Sequence, residues 1–245
     1  SGSFYGNYTA DKEIEGEYIS QSEPNNKLKF KLKEIGASRD ESRITTSSPF
    51  FEQGLKGYKN KDYKNALERP KLLAEEGDAF AHNYLGLIFQ NGQGVPQDYK
   101  EAVKWFRLSA EQGNAEAQFF LGSMYDEGKG VLQDYKEAVR LFRLSAEQGD
   151  ASAEFNMGVM YLTGRGVPKD YKEAVKWFLL SAEQGLAQAQ YIMGLMYDGG
   201  KGVLQDFVLA YMWLSNSSAN GDKGAVTDRN IVEKQMSKQQ IDENY

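Results

Sequence analysis

The sequence contains four consecutive 36-residue blocks that align without a gap, and this recurrence limits the possible folds more than any other feature. The blocks are residues 79–114, 115–150, 151–186 and 187–222, and ten of the 36 positions carry the same residue in all four. Such recurrence predicts a repeat architecture, in which each unit buries its hydrophobic face against its neighbours.

Each block predicts two helices joined by a turn. In the first block Ala81, Leu85 and Phe89 recur at helical spacing and predict the inward face of the first helix, which we call the A helix. Every block also has a glycine in the middle of this helix, Gly86 in the first block. Because a mid-helix glycine costs roughly 1 kcal/mol relative to alanine, we expect it to mark close contact with a neighbouring helix.

The turn and the second helix, which we call the B helix, carry their own signals. The turn has two glycines separated by one residue, and we interpret it as a connector rather than a phosphate-binding loop because no strand precedes it. The B helix opens with Asp98 and has Glu101 three residues later, which predicts a capping box rather than an acid–base pair. The fourth block keeps the aspartate but has Leu209 at the glutamate position.

The residues that recur resemble the Sel1-like repeat family, a relative of the tetratricopeptide repeat. The pattern is Ala-x-Ala-x-x-x-Leu-Gly-x-x-Tyr-x-x-Gly-x-Gly-Val-x-x-Asp, followed by Ala-x-x-Trp and Ser-Ala-Glu-Gln-Gly, and it covers residues 79–222. The resemblance implies an all-α fold, a right-handed α-α superhelical solenoid of helix-turn-helix repeats whose A helices line a concave groove. It also implies a bacterial adaptor or scaffold, with relatives that include envelope, secreted and immunity proteins.

The segments that flank the repeats depart from this pattern. Residues 49–78 resemble a shorter tetratricopeptide-like unit, with Pro70 inside its second helix, where a kink or an early end is expected. Residues 223–245 predict a terminal helix. Because the end repeats of a solenoid leave a hydrophobic face uncovered, we interpret both segments as caps.

The amino-terminal residues 1–48 have a different periodicity. Glutamates alternate with other residues over 13–18, lysines alternate with leucine and phenylalanine over 27–33, and a Pro-Asn-Asn segment lies between them. This period of two predicts a small β-hairpin over about 13–33 with its acidic face paired with its basic face, followed by a linker into the repeats. The alternative is a flexible extension in which the alternation is fortuitous.

Composition excludes several classes of function. The net charge of −6 argues against nucleic-acid binding, and the absence of cysteine removes disulfides, thiolate metal ligands and cysteine nucleophiles. We interpret His82, the single histidine, as a packing or surface residue rather than a metal ligand or a base. We therefore predict no catalytic residue, no metal and no cofactor, although a carboxylate pair in a deep pocket would reopen the question of an enzyme.

If the A helices line a groove, the residues that face it lie at repeat positions 2, 5, 6, 9, 12 and 13, counted from Ala79, where the blocks vary. We predict that a protein or peptide binds there through aromatic anchors and through acidic residues suited to lysine or arginine. The predicted partner-binding residues are Asn83, Tyr84, Gln90, Phe119, Phe120, Asp126, Glu127, Phe155, Asn156, Leu162, Tyr191 and Asp198. The alternative for position 5 is packing against the A helix of the next repeat.

Three functions of different classes remain. The first is an adaptor or scaffold that binds a partner protein. The second is an immunity protein or inhibitor that blocks a secreted toxin, with residues 1–48 contributing. The third is an enzyme, for which we find no supporting motif. The resemblance suggests the bacterial periplasm or envelope, and the cytoplasm is the alternative; no segment is long and apolar enough to span a membrane, and the sequence leaves the partner and the oligomeric state open.

Overall fold

The structure, a computed structural model, describes residues 70–236 and the backbone of three strands near the amino terminus. Residues 70–75 are helical, so the helix that contains Pro70 continues past it. In chain order the helices that follow are α1 (Ala79–Asn91), α2 (Tyr99–Glu111), α3 (Ala115–Glu127), α4 (Tyr135–Ala146), α5 (Ala151–Thr163), α6 (Tyr171–Glu183), α7 (Ala187–Gly199), α8 (Phe207–Ala219) and α9 (Lys223–Gln235).

The chain divides into two compact units, which we describe separately. One unit is Arg39–Lys169, and the other comprises Ser1–Ser38 and Asp170–Tyr245. In the first unit α1 packs against α2, α2 against α3, α3 against α4, and α4 against α5. In the second unit α6 packs against α7, α7 against α8, and α8 against α9. The predicted all-α architecture of consecutive helix-turn-helix repeats is confirmed, with α1, α3, α5 and α7 as A helices and α2, α4, α6 and α8 as B helices.

The ends of the A helices follow from the residues that recur there. The Asp78 carboxylate accepts a hydrogen bond from the Ala81 N–H at 2.7 Å, and Asn114 and Asp150 cap α3 and α5 in the same way. Each A helix ends at a glycine in the left-handed region, such as Gly92 with φ 66°, whose N–H donates to the Ile88 carbonyl. These contacts satisfy backbone groups that a helix leaves without partners at its two ends.

The predicted capping box of the B helices is half correct. Asp98 accepts from the N–H groups of Lys100 and Glu101, at 2.9 and 3.1 Å. The reciprocal bond from the glutamate is wrong, because the Asp98 N–H donates to the Phe89 carbonyl at 2.9 Å and the Glu101 carboxylate pairs with Lys104. The cap therefore needs only the aspartate, which explains why α8 begins normally with Leu209 at the glutamate position.

The mid-helix glycine marks the predicted close contact between the two helices of a repeat. A methyl group at Gly86 would lie 2.6 Å from Cδ1 of Phe106, and one at Gly122 would lie 2.9 Å from Cδ1 of Phe142. Both phenylalanines are buried on the B helix, at 0% and 1% exposure. Any side chain at these glycines would displace a ring of the core, so the cost of glycine in the helix is offset by packing.

The second glycine of each turn brings neighbouring repeats together. In the first unit Gly130 lies against the Tyr99 carbonyl at the start of the preceding B helix, and Gly166 lies in the same way against the Tyr135 carbonyl. Both glycines have φ near 70°, in the left-handed region. The interpretation of the Gly-x-Gly segment as a connector is confirmed.

The amino-terminal strands are β1 (Ser3–Tyr8), β2 (Glu13–Ile19) and β3 (Lys27–Lys33), which form an antiparallel sheet in the order β1-β2-β3. The sequence analysis did not predict β1. The side chains of the strands, the linker and most of the predicted cap at 49–78 lie outside the described residues, as do residues 237–245. The contacts that were predicted to stabilise a hairpin therefore stay predictions.

Candidate protein-binding surface on the A helices

The candidate surface follows one side of each A helix. We call the residues at repeat positions 5, 9 and 12 the A-helix face. In the unit Arg39–Lys169 these are Asn83, Leu87, Gln90, Phe119, Ser123, Asp126, Phe155, Val159 and Leu162, and in the other unit they are Tyr191, Leu195 and Asp198. All are half-buried except Asn83, which is buried. The A-helix face therefore leaves part of most of these side chains accessible.

The first repeat contributes less of this surface than the sequence predicted. Asn83 and Tyr84 are each 5% exposed. The Asn83 amide Nδ2 donates a hydrogen bond to Oε2 of Glu116, on the next A helix, at 2.7 Å. The structure thus places both predicted residues inside the packing of the repeats, and at Asn83 it realises the alternative of packing against the next repeat.

In the second repeat the two neighbouring phenylalanines have different roles. The Phe120 ring stacks on the Phe106 ring of the preceding B helix, with 5.3 Å between centroids. Phe119 touches Phe120 edge-on at 5.2 Å and approaches Phe142 at 6.0 Å, yet it stays half-buried. Phe120 therefore holds two repeats together, whereas Phe119 is anchored on one side and presents its remaining surface on the A-helix face.

The predicted acidic residues of this unit already have cationic partners. Arg165 Nη1 lies 3.1 Å from Oδ1 of Asp126, and the Arg165 guanidinium also lies over the Tyr135 ring at 5.5 Å. Burial raises the pKa of the Asp126 carboxyl, and the Arg165 charge opposes that rise. Glu127 pairs with Lys129, whose amine is also near the Tyr99 ring. Each acid thus sits beside a cation from a turn.

In the unit that contains α6–α9, the two predicted residues have different environments. The Tyr191 hydroxyl donates a hydrogen bond to Oδ2 of Asp228 on α9 at 2.6 Å, and this bond raises the pKa of Tyr191 to about 12. The Asp198 backbone carbonyl accepts from the Gln205 amide at 2.7 Å, and its half-buried carboxylate has no ion pair within residues 70–236. Tyr191 is thus tied to a neighbouring helix, while Asp198 keeps an unpaired charge.

The remaining predicted residues, Gln90, Asn156 and Leu162, are all half-buried in the unit Arg39–Lys169. The Gln90 backbone carbonyl accepts from the Gln97 side-chain amide at 2.7 Å. Across the part of the chain that the structure describes, no three His, Asp or Glu side chains are grouped so that they could hold a metal ion. No helix in that part is long and apolar enough to cross a membrane.

A family match and solved structures place this architecture among known proteins. The Sel1 repeat matches residues 79–114, 115–150, 151–186 and 187–222, which is more than half of the chain. The chain belongs to the Sel1 repeat family. The matched boundaries are those of the four blocks in the sequence, so the resemblance stated above is confirmed.

Two solved structures of Sel1 repeat proteins are similar in sequence as well as fold. A Sel1 repeat protein from Oxalobacter formigenes is 36% identical, with a TM-score of 0.66; the match covers 71% of this chain and 72% of that one. A protective antigen present in uropathogenic Escherichia coli strains, which displays the same repeat fold, is 42% identical, with a TM-score of 0.63 over 65% of this chain. This chain spans about a third of that antigen, 34% of its length. No curated protein matches the sequence.

Among the Sel1 repeats of this chain, the sequence analysis missed a row of buried polar side chains at position 4. His82 Nε2 lies 3.0 Å from the Ala74 carbonyl, and Gln118 Nε2 donates to the Ala110 carbonyl at 3.2 Å. The His82 ring also stacks on Trp105, with 5.6 Å between centroids. The interpretation of His82 as a packing residue is confirmed, and the recurrence of a polar residue at position 4 was the signal for this row.

The unvarying serine of the Sel1 repeat has a structural role that the sequence analysis also missed. The hydroxyl of Ser109 donates to the carbonyl of Ala79, and that of Ser145 donates to the carbonyl of Ala115, at 2.7 and 2.8 Å. Both serines are fully buried. The serine therefore joins the B helix to the first residue of the A helix in the same repeat.

Charge is distributed unequally between the two helices of the Sel1 repeat. The A helices α1, α3, α5 and α7 contain no lysine or arginine, and their acidic residues are Glu116, Asp126, Glu127, Glu154 and Asp198. The B helices α2, α4 and α6 contain all the helical cations of the four repeats, and the turns contain most of the others. The A helices therefore favour cationic partners, and this separation is visible in the sequence once the helices are assigned.

Proposed function

We propose that this protein is an adaptor whose A-helix face binds a partner protein through a segment that carries lysine or arginine beside apolar residues. Sel1 repeats are protein-interaction modules, and this chain has four of them. The observation that carries the proposal is that the A helices contain five acidic residues and no cation. Opposite charges across an interface speed association and select the partner.

The apolar anchors of the proposed surface lie in the unit Arg39–Lys169. Phe119, Phe155 and Leu162 are half-buried, which means that each is held on one side by the protein and keeps surface for a partner. Side chains that are partly immobilised before binding lose less conformational entropy on association. Asn83, Tyr84 and Phe120 are excluded from the proposed surface because they pack between repeats.

The acidic residues of this surface add selectivity. Asp126 is half-buried and already pairs with Arg165, so a cationic side chain of a partner must share or displace that pair. Asp198, in the other unit, has no such competitor within the described residues. We expect Asp198 to be the more available charge, because its carboxylate would be neutralised only by the partner.

The test compares three forms of the protein in affinity capture from the native source, followed by measurement of the dissociation constant for the captured partner. The forms are the wild type, Phe119→Ala/Phe155→Ala, and the control Leu108→Ala/Leu144→Ala. Leu108 and Leu144 are exposed by 38% and 36% on B helices, so the control also removes two exposed apolar side chains. We expect the first variant to weaken binding at least tenfold, which is about 1.4 kcal/mol, and the control to leave it within twofold.

The outcomes separate the possible interpretations. If both double variants bind as the wild type does, the A-helix face is not the binding surface. If the leucine variant alone loses the partner, binding lies on the B helices. If the captured partner is a toxin whose activity the protein blocks, and if deletion of residues 1–48 abolishes the block, the immunity function takes the place of the adaptor function.

A second experiment tests the charge argument. Asp198→Asn should weaken binding of the same partner about three- to tenfold and should reduce the dependence of affinity on salt, because one ionic contact is lost. The control is Asp170→Asn, which removes a carboxylate that caps α6 in the same unit. An equal loss of affinity in both variants would show that net charge, rather than the A-helix face, determines binding.

A further inference from the structure

Helix α8 differs from the other B helices in having no charged residue. Helix α2 has five charged residues, and α4 and α6 have four each. In α8 the positions that carry lysine or arginine elsewhere are occupied by Val208 and Met212, repeat positions 22 and 26. A helix that is apolar on its outer side as well as its inner side is one that another element covers.

The exposure of these positions changes together with their chemistry. The equivalent lysines of α6, in the same unit, are Lys172 and Lys176, and both are exposed; the Lys176 side chain is 69% exposed. Val208 and Met212 are half-buried instead. They lie four residues apart, so they are neighbours on one side of α8. This side of α8 is therefore an apolar surface that no other B helix of the protein has.

The amino-terminal sheet has a matching apolar face. The register sets Phe4 opposite Tyr18 and Tyr18 opposite Leu28, and it sets Gly6 opposite Gly16 and Gly16 opposite Phe30. Because alternate residues of a strand share a face, one face of the sheet carries an uncharged set. This set is Phe4, Gly6, Tyr8, Ile14, Gly16, Tyr18, Leu28, Phe30 and Leu32. The other face carries three glutamates and four lysines.

A sheet of three short strands with one apolar face needs an element that covers this face. The compact unit that contains α6–α9 also contains residues 1–38, and hence all three strands. We propose that the apolar face of the amino-terminal sheet docks on the charge-free side of α8, at Val208 and Met212. The sheet takes the place of the charged outer side that the other B helices present to solvent.

The docking is tested first by cross-linking. The chain has no cysteine, so Phe30→Cys/Met212→Cys introduces its only two thiols. We expect a short bis-maleimide to join them within one molecule, in a larger fraction of molecules than in the control Phe30→Cys/Lys104→Cys. Lys104 occupies the same repeat position as Met212, on a B helix of the other unit. Equal cross-linking of the two pairs, or cross-links only between molecules, would overturn the proposal.

Hydrogen exchange provides a test without cysteines. Val208→Lys/Met212→Lys gives α8 the residue types that α2 and α6 have at these positions, so the helix should still form. We expect the protection of amides in residues 3–33 to fall at least tenfold, while protection in α1–α5 stays the same. The matched control, Val208→Ile/Met212→Leu, keeps the surface apolar and should preserve protection.

Two results would contradict intramolecular docking. If residues 3–33 exchange as fast in the wild type as in an unfolded chain, no docked sheet exists. If protection depends on protein concentration and light scattering gives twice the mass of one chain, the occupant of α8 is a second copy. Protection that the double lysine variant leaves unchanged would place the sheet elsewhere on the protein.

Discussion

Each A helix has two sides with opposite histories within the same chain. On the side that packs against the B helix, Ala81, Leu85 and Ile88 are at most 1% exposed, and the equivalent residues in later repeats are alanine, leucine or methionine. On the A-helix face, position 5 changes from asparagine to phenylalanine to tyrosine. The two sides share one backbone and one set of caps, so helix propensity cannot cause the difference. Repeated neighbours fix the residue type on one side, and the lack of them permits divergence on the other.

The largest test of this comparison uses two phenylalanines from adjacent helices of one repeat. Phe142, on the packed side, is 1% exposed, whereas Phe119, on the A-helix face, is half-buried. We expect Phe142→Ala to lower the free energy of unfolding by about 3–5 kcal/mol and Phe119→Ala to lower it by less than half as much. Urea denaturation measures both. Similar losses would mean that the A-helix face is part of the core.

Glycine-to-alanine changes test the same comparison in both directions. At Gly86 a methyl group would meet the Phe106 ring at 2.6 Å, so Gly86→Ala should destabilise the protein by about 1–2 kcal/mol after the gain in helix propensity. At Gly199, the end of α7, the nearest atom would be 3.6 Å away on the Lys201 side chain. Gly199→Ala should therefore stabilise the protein, by up to about 1 kcal/mol. Thermal unfolding of the two variants gives the signs, and equal signs would contradict the comparison.

Two serines provide a smaller test with an identical chemical change. The hydroxyl of Ser145 donates to the Ala115 carbonyl in the neighbouring helix, whereas that of Ser123, on the A-helix face, donates to the Phe119 carbonyl within its own helix. We expect Ser145→Ala to cost about 1 kcal/mol and Ser123→Ala to change stability by less than about 0.5 kcal/mol. Chemical denaturation of both variants decides. A loss at Ser123 as large as that at Ser145 would show a contact that this geometry does not contain.

The smallest effect concerns Tyr191, the residue of the A-helix face that is tied to a neighbouring helix. Its hydroxyl donates to Asp228, which raises the pKa of Tyr191 to about 12 from the usual value of 10.0. The folded state therefore holds the proton more tightly, so this contribution to stability is complete below pH 10 and is lost as the pH rises to 12.

The ultraviolet absorbance of tyrosinate measures this pKa directly. Subtracting the titration of Tyr191→Phe from that of the wild type isolates one tyrosine of the fifteen in the chain. We expect the difference to rise near pH 12. The control is Tyr171→Phe, an exposed tyrosine at the start of α6 in the same unit. A step near pH 10 in the Tyr191 difference would mean that the bond to Asp228 does not form in solution.

Much of the fold could be predicted because its signals are local and recur four times. Helical spacing gave the A and B helices, and glycine at a costly mid-helix position gave the contact between Gly86 and Phe106. The reciprocal bond from Glu101 could not be excluded from sequence, because Asp98 donates its N–H to Phe89, nine residues earlier, only when the turn closes. Strand β1 was missed because its sequence, with Ser3, Gly6 and Asn7, has a weak period of two.

The candidate surface was less predictable, because the same repeat position can have different neighbours. Positions 5 and 6 were predicted to face a partner, yet the Phe120 ring stacks on a residue 14 positions earlier and Asn83 bonds to a residue 33 positions later. Arg165 reaches back 39 residues to Asp126. A period of 3.6 residues predicts which side of a helix a residue occupies, but it does not predict which side chain from another repeat meets it there.

The sequence by itself determined the repeat length, the order of the helices, the aspartate and glycine caps and the family of this protein. These features depend on residues within about one repeat of each other, whose spacing along the chain fixes their spacing in the helix. Only the tertiary structure decided which variable residues are used for packing, which acids are paired, and that α8 differs from its equivalents in burial as well as charge. These depend on the approach of helices far apart in sequence, where side-chain volume and charge select the contacts.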